Sequence, residues 1–179
     1  MDTIAPRLTP DELALAEGVL LKAPLAFVAM VERIAPDCSA SPYLVPMNFA
    51  YAPAEPRTVA SGDPEARPGR VFLHTGAGRK TRALAGNPLV SIAVTAEERF
   101  SKGASPCNDG FAFRSVLLSG RAALLEDARE REEALRAIVG KYDPQAASSP
   151  FAEDVLVQTL IYAVEVETLS YKERPLSSS

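Results

Sequence analysis

The stretch RVFLHTGAGRKTRALAGNPLVSIAV, residues 70–94, carries the signals of a strand, a turn, a helix and a second strand in immediate succession. A short apolar run leads to His74, the only histidine of the sequence, and two glycines then precede the helix start. The helix, predicted over Arg79–Ala85, stops at Gly86-Asn87-Pro88, where a glycine and a proline disfavour its continuation. The apolar run after it predicts another strand.

The turn between this strand and this helix is a candidate anion site. Free backbone amides at a helix start, together with glycines that admit a close approach, suit a phosphate. Arg79, Lys80 and Arg82 lie near the helix start, where cations oppose the helix dipole unless an anion compensates them. A glycine-rich surface turn with solvated cations explains the same residues, so the residues alone leave both interpretations open.

Outward from this stretch, the sequence predicts short strands with few helices. A capping box in LTPDEL starts a helix over Pro10–Lys22, and Asp127 caps a second one over Ala128–Tyr142. The buried stripe of the second helix is predicted to hold Leu135, Ile138, Val139 and Tyr142. The predicted strands are Leu25–Ile34, Tyr43–Tyr51, Arg70–Thr75, Leu89–Phe100, Phe113–Glu126 and Leu160–Leu169.

These elements predict a mainly β protein with flanking helices (α+β), in which six antiparallel strands form a closed or partly closed barrel. A chain of 179 residues is the size of one domain, and we predict a single domain over 1–179. Its N-terminal helical segment is 1–24, and its flexible tail is 173–179. Long loops are expected over Ala52–Gly69 and Ser101–Gly110, where binding sites often lie.

Composition excludes several classes of function. A net charge of −4 argues against a general nucleic-acid binder, and the apolar runs are too short to span a membrane. No secretory signal is recognised, so we predict a cytoplasmic protein in which Cys38 and Cys107 are reduced thiols, a disulfide between them being the alternative. One histidine and no CxxC leave no ligand set for zinc, and we predict no metal site.

Two familiar catalytic motifs are missing. No G-x-S-x-G elbow accompanies His74, which argues against a serine hydrolase, and GAGRKT lacks the spacing of a phosphate-binding P-loop. The strand YLVPMNFAY instead carries Pro46 within a clear β pattern. Proline there indicates a sheet edge or a break that leaves backbone groups free to face a flat polar ring, although a simple bulge is the alternative.

An ordered set of segments resembles the pyridoxamine-phosphate-oxidase-like family of FMN-binding split barrels, especially the subgroup related to nitroimidazole-resistance proteins. The segments are PYLVPMNFAY, RVFLHTGAGRK, GNPLVSIAV, FRSVLLSGRAALLED, the helix end EEALRAIVGKYDP and the final strand LIYAVEVETLSYK. The resemblance covers roughly residues 25–172. It implies a homodimer with two FMN sites at its interface.

The same resemblance implies roles for individual residues. Those implied to line the flavin ring are Val45, Pro46, Met47 and Asn48. The phosphate is implied to bind Thr75 and Lys80, with Arg79 as a further candidate. His74 is implied to lie beside the flavin, and Ser115 is implied to face the flavin bound mainly by the other subunit.

The implied function is redox chemistry on a small molecule, in which FMN takes electrons from NADH or NADPH. His74 is the candidate catalytic residue, and its alternative role is to orient the phosphate turn. Synthesis of pyridoxal phosphate is not predicted, because the arginine-bearing substrate motif is not evident in SYKERPLSSS. A non-catalytic flavin sensor or carrier is the alternative function, and a haem or a deazaflavin is the alternative cofactor.

Overall fold

Seven strands and four α-helices form within residues 8–34, 39–54, 68–103 and 105–175, the part of the chain that the computed structural model describes. The helices are α1 (Pro10–Lys22), α2 (Arg79–Gly86), α3 (Ala128–Tyr142) and α4 (Glu153–Gln158). The strands are β1 (Ala26–Ile34), β2 (Ser39–Met47), β3 (Phe49–Ala52), β4 (Arg70–Thr75), β5 (Leu89–Ser101), β6 (Gly110–Leu124) and β7 (Leu160–Arg174).

The strands form one antiparallel sheet in the order β2-β1-β5-β6-β7-β4-β3. Its two edge strands, β2 and β3, follow each other in the chain with only Asn48 between them. The chain therefore crosses from one edge of the sheet to the other at Asn48. The sheet is not closed, and this arrangement with its flanking helices confirms the predicted split-barrel class.

The predicted strand Tyr43–Tyr51 is two strands. Its first part pairs with β1 and its second part with β4, so the chain exchanges one ladder partner for another at Asn48. Side-chain alternation continues through the exchange, and for this reason the hydrophobic pattern did not reveal it. Pro46 lies on edge strand β2, as predicted, but the break comes two residues later.

Two clusters of buried side chains hold the sheet to its helices. The larger lies on the inner face of the sheet and includes Leu20 of α1, Val28, Phe49, Leu73 and Val116. The smaller lies between α3 and the opposite face of β3, β4 and β7, and its members include Ala50, Phe72, Leu135, Ile138 and Ile161. Helix α3 therefore covers the outer surface of β3, β4 and β7.

The helix predictions are confirmed, with small corrections. Thr9 and Glu12 form the capping box of α1, and the Asp127 carboxylate accepts from two backbone amides at the start of α3. Tyr142, predicted in the buried stripe of α3, is 41% exposed because it ends the helix beside the strand crossing. Helix α4 was not predicted.

Several predictions fall partly outside the described residues: the loop residues 55–67, residue 104, Cys38 and the last residues, 176–179. Glu173 and Arg174, expected in a flexible tail, belong to β7 because they pair with β6. Cys107 is a free, exposed thiol in a short 3-10 turn, Pro106–Asn108. Among the described residues, no helix has both the length and the apolar character of a membrane span.

Candidate functional site

The residues predicted to line a flavin ring point to two sides of the sheet. Val45 packs against the larger core and Met47 is buried within it, whereas Pro46 and Asn48 are exposed. This is the ordinary alternation of a strand. Pro46 and Asn48 can therefore present side chains to a ligand, whereas the Val45 side chain is partly buried and Met47 can contribute only backbone groups.

His74 and Thr75 divide in the same way at the end of β4. Thr75 follows the inward-facing Val71 and Leu73, is buried, and donates its hydroxyl hydrogen to the carbonyl oxygen of Gly76 at 3.1 Å. His74 lies on the opposite face, which it shares with Phe72, and is half-buried. Thr75 thus stabilises the turn from inside, and His74 faces the same side of the strand as the smaller core.

The register of β3 and β4 brings the two predicted groups together. Phe49 pairs with Leu73, and both side chains lie in the larger core. Asn48 precedes Phe49 and His74 follows Leu73, so the two residues flank the last pair of this ladder at the same end. Because neighbours across a ladder share a face, exposed Asn48 and half-buried His74 lie on the same side of the sheet. Pro46 lies on this side too, two residues before Asn48.

Arg79 is held by an ion pair and an aromatic ring. Its Nη2 and Nε donate to Glu32 Oε2 of β1 at 2.8 and 3.0 Å, and its guanidinium lies 4.1 Å from the centre of the Tyr43 ring of β2. The hydrogen bond from Arg79 lowers the pKa of Glu32, and Glu32 in turn raises the pKa of Arg79. Glu32 is thus the anion that compensates this cation at the start of α2.

Lys80 makes no hydrogen bond or ion pair within the described part of the chain. It lies near His74, whose pKa is lowered first by burial and second by the charge of Lys80. His74 is therefore mostly neutral at pH 7. A cation without a partner beside the first-turn amides of α2 is the arrangement that an anion would complete.

Backbone geometry keeps this turn approachable. A β-carbon built on Gly76 or Gly78 would meet nothing within 4 Å, so open space adjoins both residues. The Gly78 amide donates to Thr81 Oγ1 at 3.0 Å, and Thr81 Oγ1 donates to the Gly78 carbonyl at 2.8 Å. These bonds fix the helix start while the amides of the following residues remain without intrahelical acceptors.

Ser115 lies away from this group, on β6. Pro46 is paired with Phe27, Phe27 with Ala93, and Ala93 with Leu117, so these four side chains share one face of the sheet. Ser115 precedes Leu117 by two residues and shares that face. Three strand spacings, roughly 14 Å along the sheet, separate it from Pro46. The structure does not bring Ser115 and Pro46 of one chain together.

Beside Phe27 lies a groove of about 400 Å³. It forms where the chain entering β1 separates from β5, and its lining includes Pro24, Leu25, Phe27 and Thr95, with Lys22 and Glu98 as its charged residues. Most of the lining is apolar. The groove adjoins Pro46 through Phe27, its partner in the ladder.

Glu32 and Tyr43, which hold Arg79, were not among the residues predicted from the sequence. Glu32 is 47 residues from Arg79, and no local pattern links them. The available signal was the single carboxylate in the apolar strand LAFVAMVERI, combined with the need for an anion near the start of α2. Within the described residues, no three His, Cys, Asp or Glu side chains are grouped as metal ligands would be.

The residues present fit a flavin phosphate and ring. Lys80 and the amides of α2 suit the phosphate, and exposed Pro46 and Asn48 offer an apolar surface and an amide to a polar ring. Neutral His74 lies between them, beside Asn48. Arg79 is already neutralised by Glu32 and is less suited to the phosphate than Lys80.

Comparison with known proteins agrees with this fold. None of the proteins with a curated description matches the chain. Among solved structures, a proposed 5-nitroimidazole antibiotic resistance protein from Bacteroides thetaiotaomicron is 22% identical, with a TM-score of 0.65, and the match covers 88% of this chain and 81% of that one. A flavocytochrome from Azotobacter vinelandii is 23% identical, with a TM-score of 0.67 and coverage of 97% and 72%.

An FAD- and haem-binding protein from Mycobacterium smegmatis is 20% identical, with a TM-score of 0.68, and the match covers 97% of this chain and 76% of that one. At these identities the likeness shows the fold. The family model described as pyridoxamine 5'-phosphate oxidase matches residues 23–173, nearly the whole described sheet. The chain is therefore a member of the pyridoxamine 5'-phosphate oxidase family of split barrels.

Proposed function

We propose that this protein is a homodimeric, FMN-binding oxidoreductase that passes electrons from NADH or NADPH to a small-molecule acceptor. The observation that carries the proposal is that exposed Pro46 and Asn48 share one side of the sheet with His74, and that Lys80 is close enough to His74 to lower its pKa. FMN is preferred because Lys80 lies in the first turn of a single helix, an arrangement that matches a single phosphate. Its cytoplasmic location stays a prediction from the sequence.

When bound, FMN supplies the hydride- and electron-transfer chemistry, and the protein provides position and electrostatics. Lys80 and the first-turn amides of α2 bind the phosphate. Asn48 offers both donor and acceptor atoms to the polar edge of the ring. His74, neutral at pH 7, serves as a hydrogen-bonding group or a proton acceptor rather than as a fixed positive charge.

The groove beside Phe27 is our candidate for substrate access. Its apolar lining suits a small, flat organic molecule, and its position beside Pro46 brings such a molecule near the proposed ring. Lys22 and Glu98 provide a positive and a negative group for polar substituents. Acceptors of the nitroimidazole type satisfy this description, because they are small, flat and polar at one edge.

A second copy is proposed to cover the sheet surface that α3 leaves open. We call this surface the outer face and define it by Leu44, Pro46, Phe27, Ala93 and Leu117. Leu44 is 61% exposed and Leu117 is 59% exposed, which is unusual for large apolar side chains on a sheet. Ser115 adjoins this face, so a partner packed against it can bring its own Ser115 toward the flavin.

Turnover by the reconstituted protein tests the oxidoreductase proposal against a flavin sensor or carrier. Protein loaded with FMN is mixed with NADH or NADPH and a panel of acceptors that includes a nitroimidazole, and oxidation of the nicotinamide is followed. We expect oxidation to depend on protein-bound flavin and on the acceptor. Stable flavin binding without turnover for any acceptor would instead support a carrier or sensor. FAD is titrated in parallel, because tighter binding of FAD would correct the cofactor.

A further inference from the structure

The last two residues of α3, Lys141 and Tyr142, contact the chain where it crosses between the sheet edges. The hydroxyl oxygen of Tyr142 accepts from the Phe49 amide at 3.0 Å, and its hydrogen is donated to the Pro24 carbonyl at 2.8 Å. Phe49 directly follows Asn48. One hydroxyl therefore joins α3 to the crossing and to the segment that enters β1.

Lys141 also contacts Phe49, through the side chain of that residue. Its Nζ lies 3.2 Å from the centre of the Phe49 ring and donates to the Leu20 carbonyl at 2.9 Å. The Phe49 ring is fully buried. Because Leu20 lies in the last turn of α1, Lys141 ties the ends of two helices to the first residue of β3.

These contacts bear on the proposed site through the backbone. Asn48 joins two edge strands that have different ladder partners, so the sheet itself holds this residue less firmly than a residue inside a strand. The Phe49 amide is fixed by a side chain of another element. Removal of that hydroxyl leaves a buried donor without this partner, and the crossing must then shift to satisfy it.

Pro24 extends the connection to the groove. Its carbonyl accepts from Tyr142, and Pro24 also lines the groove beside Phe27. The same hydroxyl therefore links the groove wall at Pro24 to the crossing at Asn48 and Phe49. A side chain that fixes two walls of a site in this way acts through other residues and does not itself have to touch a ligand.

We infer that Tyr142, with Lys141 beside it, is a positioning residue for the flavin ring, because it holds the Asn48–Phe49 crossing against the segment that leads into β1. The inference rests on the proposed function, since it concerns the wall that meets the ring. It assigns the helix end KY a role in the site rather than in helix packing alone. The phosphate turn, which is held by Arg79 and Glu32, does not depend on it.

The test compares FMN with riboflavin, which has the same ring and no phosphate. In Tyr142→Phe, we expect the dissociation constants of both ligands to rise about fivefold, because binding must then restore a crossing that has shifted; this factor corresponds to the net contribution of about one hydrogen bond. Their ratio should stay at the wild-type value, and the visible spectrum of the bound flavin should shift. Lys141→Met should change both constants in the same direction, and it carries the test if Tyr142→Phe does not fold.

Tyr51→Phe is the matched control. Tyr51 lies on β3, two residues after Phe49, and its hydroxyl accepts from the Gly69 amide at 3.1 Å and donates to Glu17 Oε1 at 3.0 Å. The substitution removes the same atom as Tyr142→Phe, a tyrosine hydroxyl oxygen, but its hydrogen-bond partners lie away from the crossing. We expect Tyr51→Phe to lower the melting temperature and to leave both flavin constants unchanged.

Two results would overturn the inference: wild-type affinities for both flavins in Tyr142→Phe and Lys141→Met, or equal losses in Tyr51→Phe and Tyr142→Phe. The second result would mean that flavin affinity follows stability alone. Failure of the proposed function is separately visible, because in that case the wild-type protein itself binds neither FMN nor riboflavin.

Discussion

The guanidinium of Arg79 is paired with the carboxylate of Glu32 at 2.8 Å, across the gap between the start of α2 and strand β1. This pair neutralises one of the cations that the sequence places at the wrong end of a helix dipole. It also joins the turn to the β1–β2 ladder, because the same guanidinium stacks on Tyr43. Lys80 is left as the cation best suited to a phosphate.

Replacement of Lys80 separates phosphate binding from ring binding. We expect Lys80→Ala to weaken FMN binding by about 1 to 3 kcal/mol, the contribution of a charge-assisted hydrogen bond, and to leave riboflavin affinity unchanged. Titration of both flavins by fluorescence measures this. The fold should remain intact, since Lys80 makes no hydrogen bond or ion pair among the described residues.

Arg82→Ala is the control for this experiment, since it removes an exposed positive charge from the same helix. We expect a small, salt-dependent loss of FMN affinity from this variant. Equal losses in Lys80→Ala and Arg82→Ala would show that the turn attracts FMN only through its overall charge.

The imidazole of His74 reports directly on the proposed phosphate. As the only histidine, it gives a single set of imidazole signals in a proton NMR titration. Burial and the charge of Lys80 should hold its pKa below the ordinary 6.5 in the free protein, and Lys80→Ala should raise that pKa. In the wild type, bound FMN should also raise the pKa of His74, because the phosphate offsets the charge of Lys80. Riboflavin, which has no phosphate, should leave that pKa unchanged. Identical pKa values with and without FMN would place the phosphate elsewhere.

Lys141 should make stability depend on alkaline pH. Burial lowers its pKa in the folded protein from 10.5 to about 8, so between these values the unfolded chain binds the proton more readily. The contribution of Lys141 to the free energy of unfolding therefore becomes more favourable as the pH increases from 8 to 10.5. We expect the melting temperature of the wild type to rise relative to that of Lys141→Met between pH 7 and pH 10. A difference that stays constant or shrinks would contradict the lowered pKa.

Leu117→Glu tests the proposed homodimer. A carboxylate at this position on the outer face should oppose burial against a second copy, and we expect the dimer to dissociate into monomers in light scattering. Val157→Glu is the control, because Val157 is 70% exposed on α4, away from the outer face. A monomeric wild type, or a Leu117→Glu variant that stays dimeric, would contradict the interface.

The sequence determines much of this fold by local signals. Thr9 with Glu12 and Asp127 mark helix starts that the structure confirms, because capping depends on residues only two or three positions apart. The exchange of ladder partners at Asn48 was not foreseen, because Met47 and Phe49 continue the same alternation on either side of it. Local patterns show which face a side chain takes and do not show which strand lies beside it.

The candidate site was predicted less completely, for a related reason. Resemblance to a family supplied positions such as Met47 and Thr75, but their side chains are buried and only backbone atoms are available. Glu32 contacts Arg79, which is 47 residues away in the sequence. Tyr142 contacts Phe49, which is 93 residues away. Contacts over such separations follow from the folded sheet and leave no periodic pattern in the chain.

The central claim is that this chain holds FMN, and retention of the flavin tests it most directly. The purified protein is incubated with excess FMN and separated from free ligand by gel filtration, and its visible spectrum is recorded. The account predicts that the protein fraction is yellow, with about one FMN per chain, and that riboflavin is retained less well because it lacks the phosphate bound at Lys80. A colourless protein fraction after incubation with FMN would contradict the account.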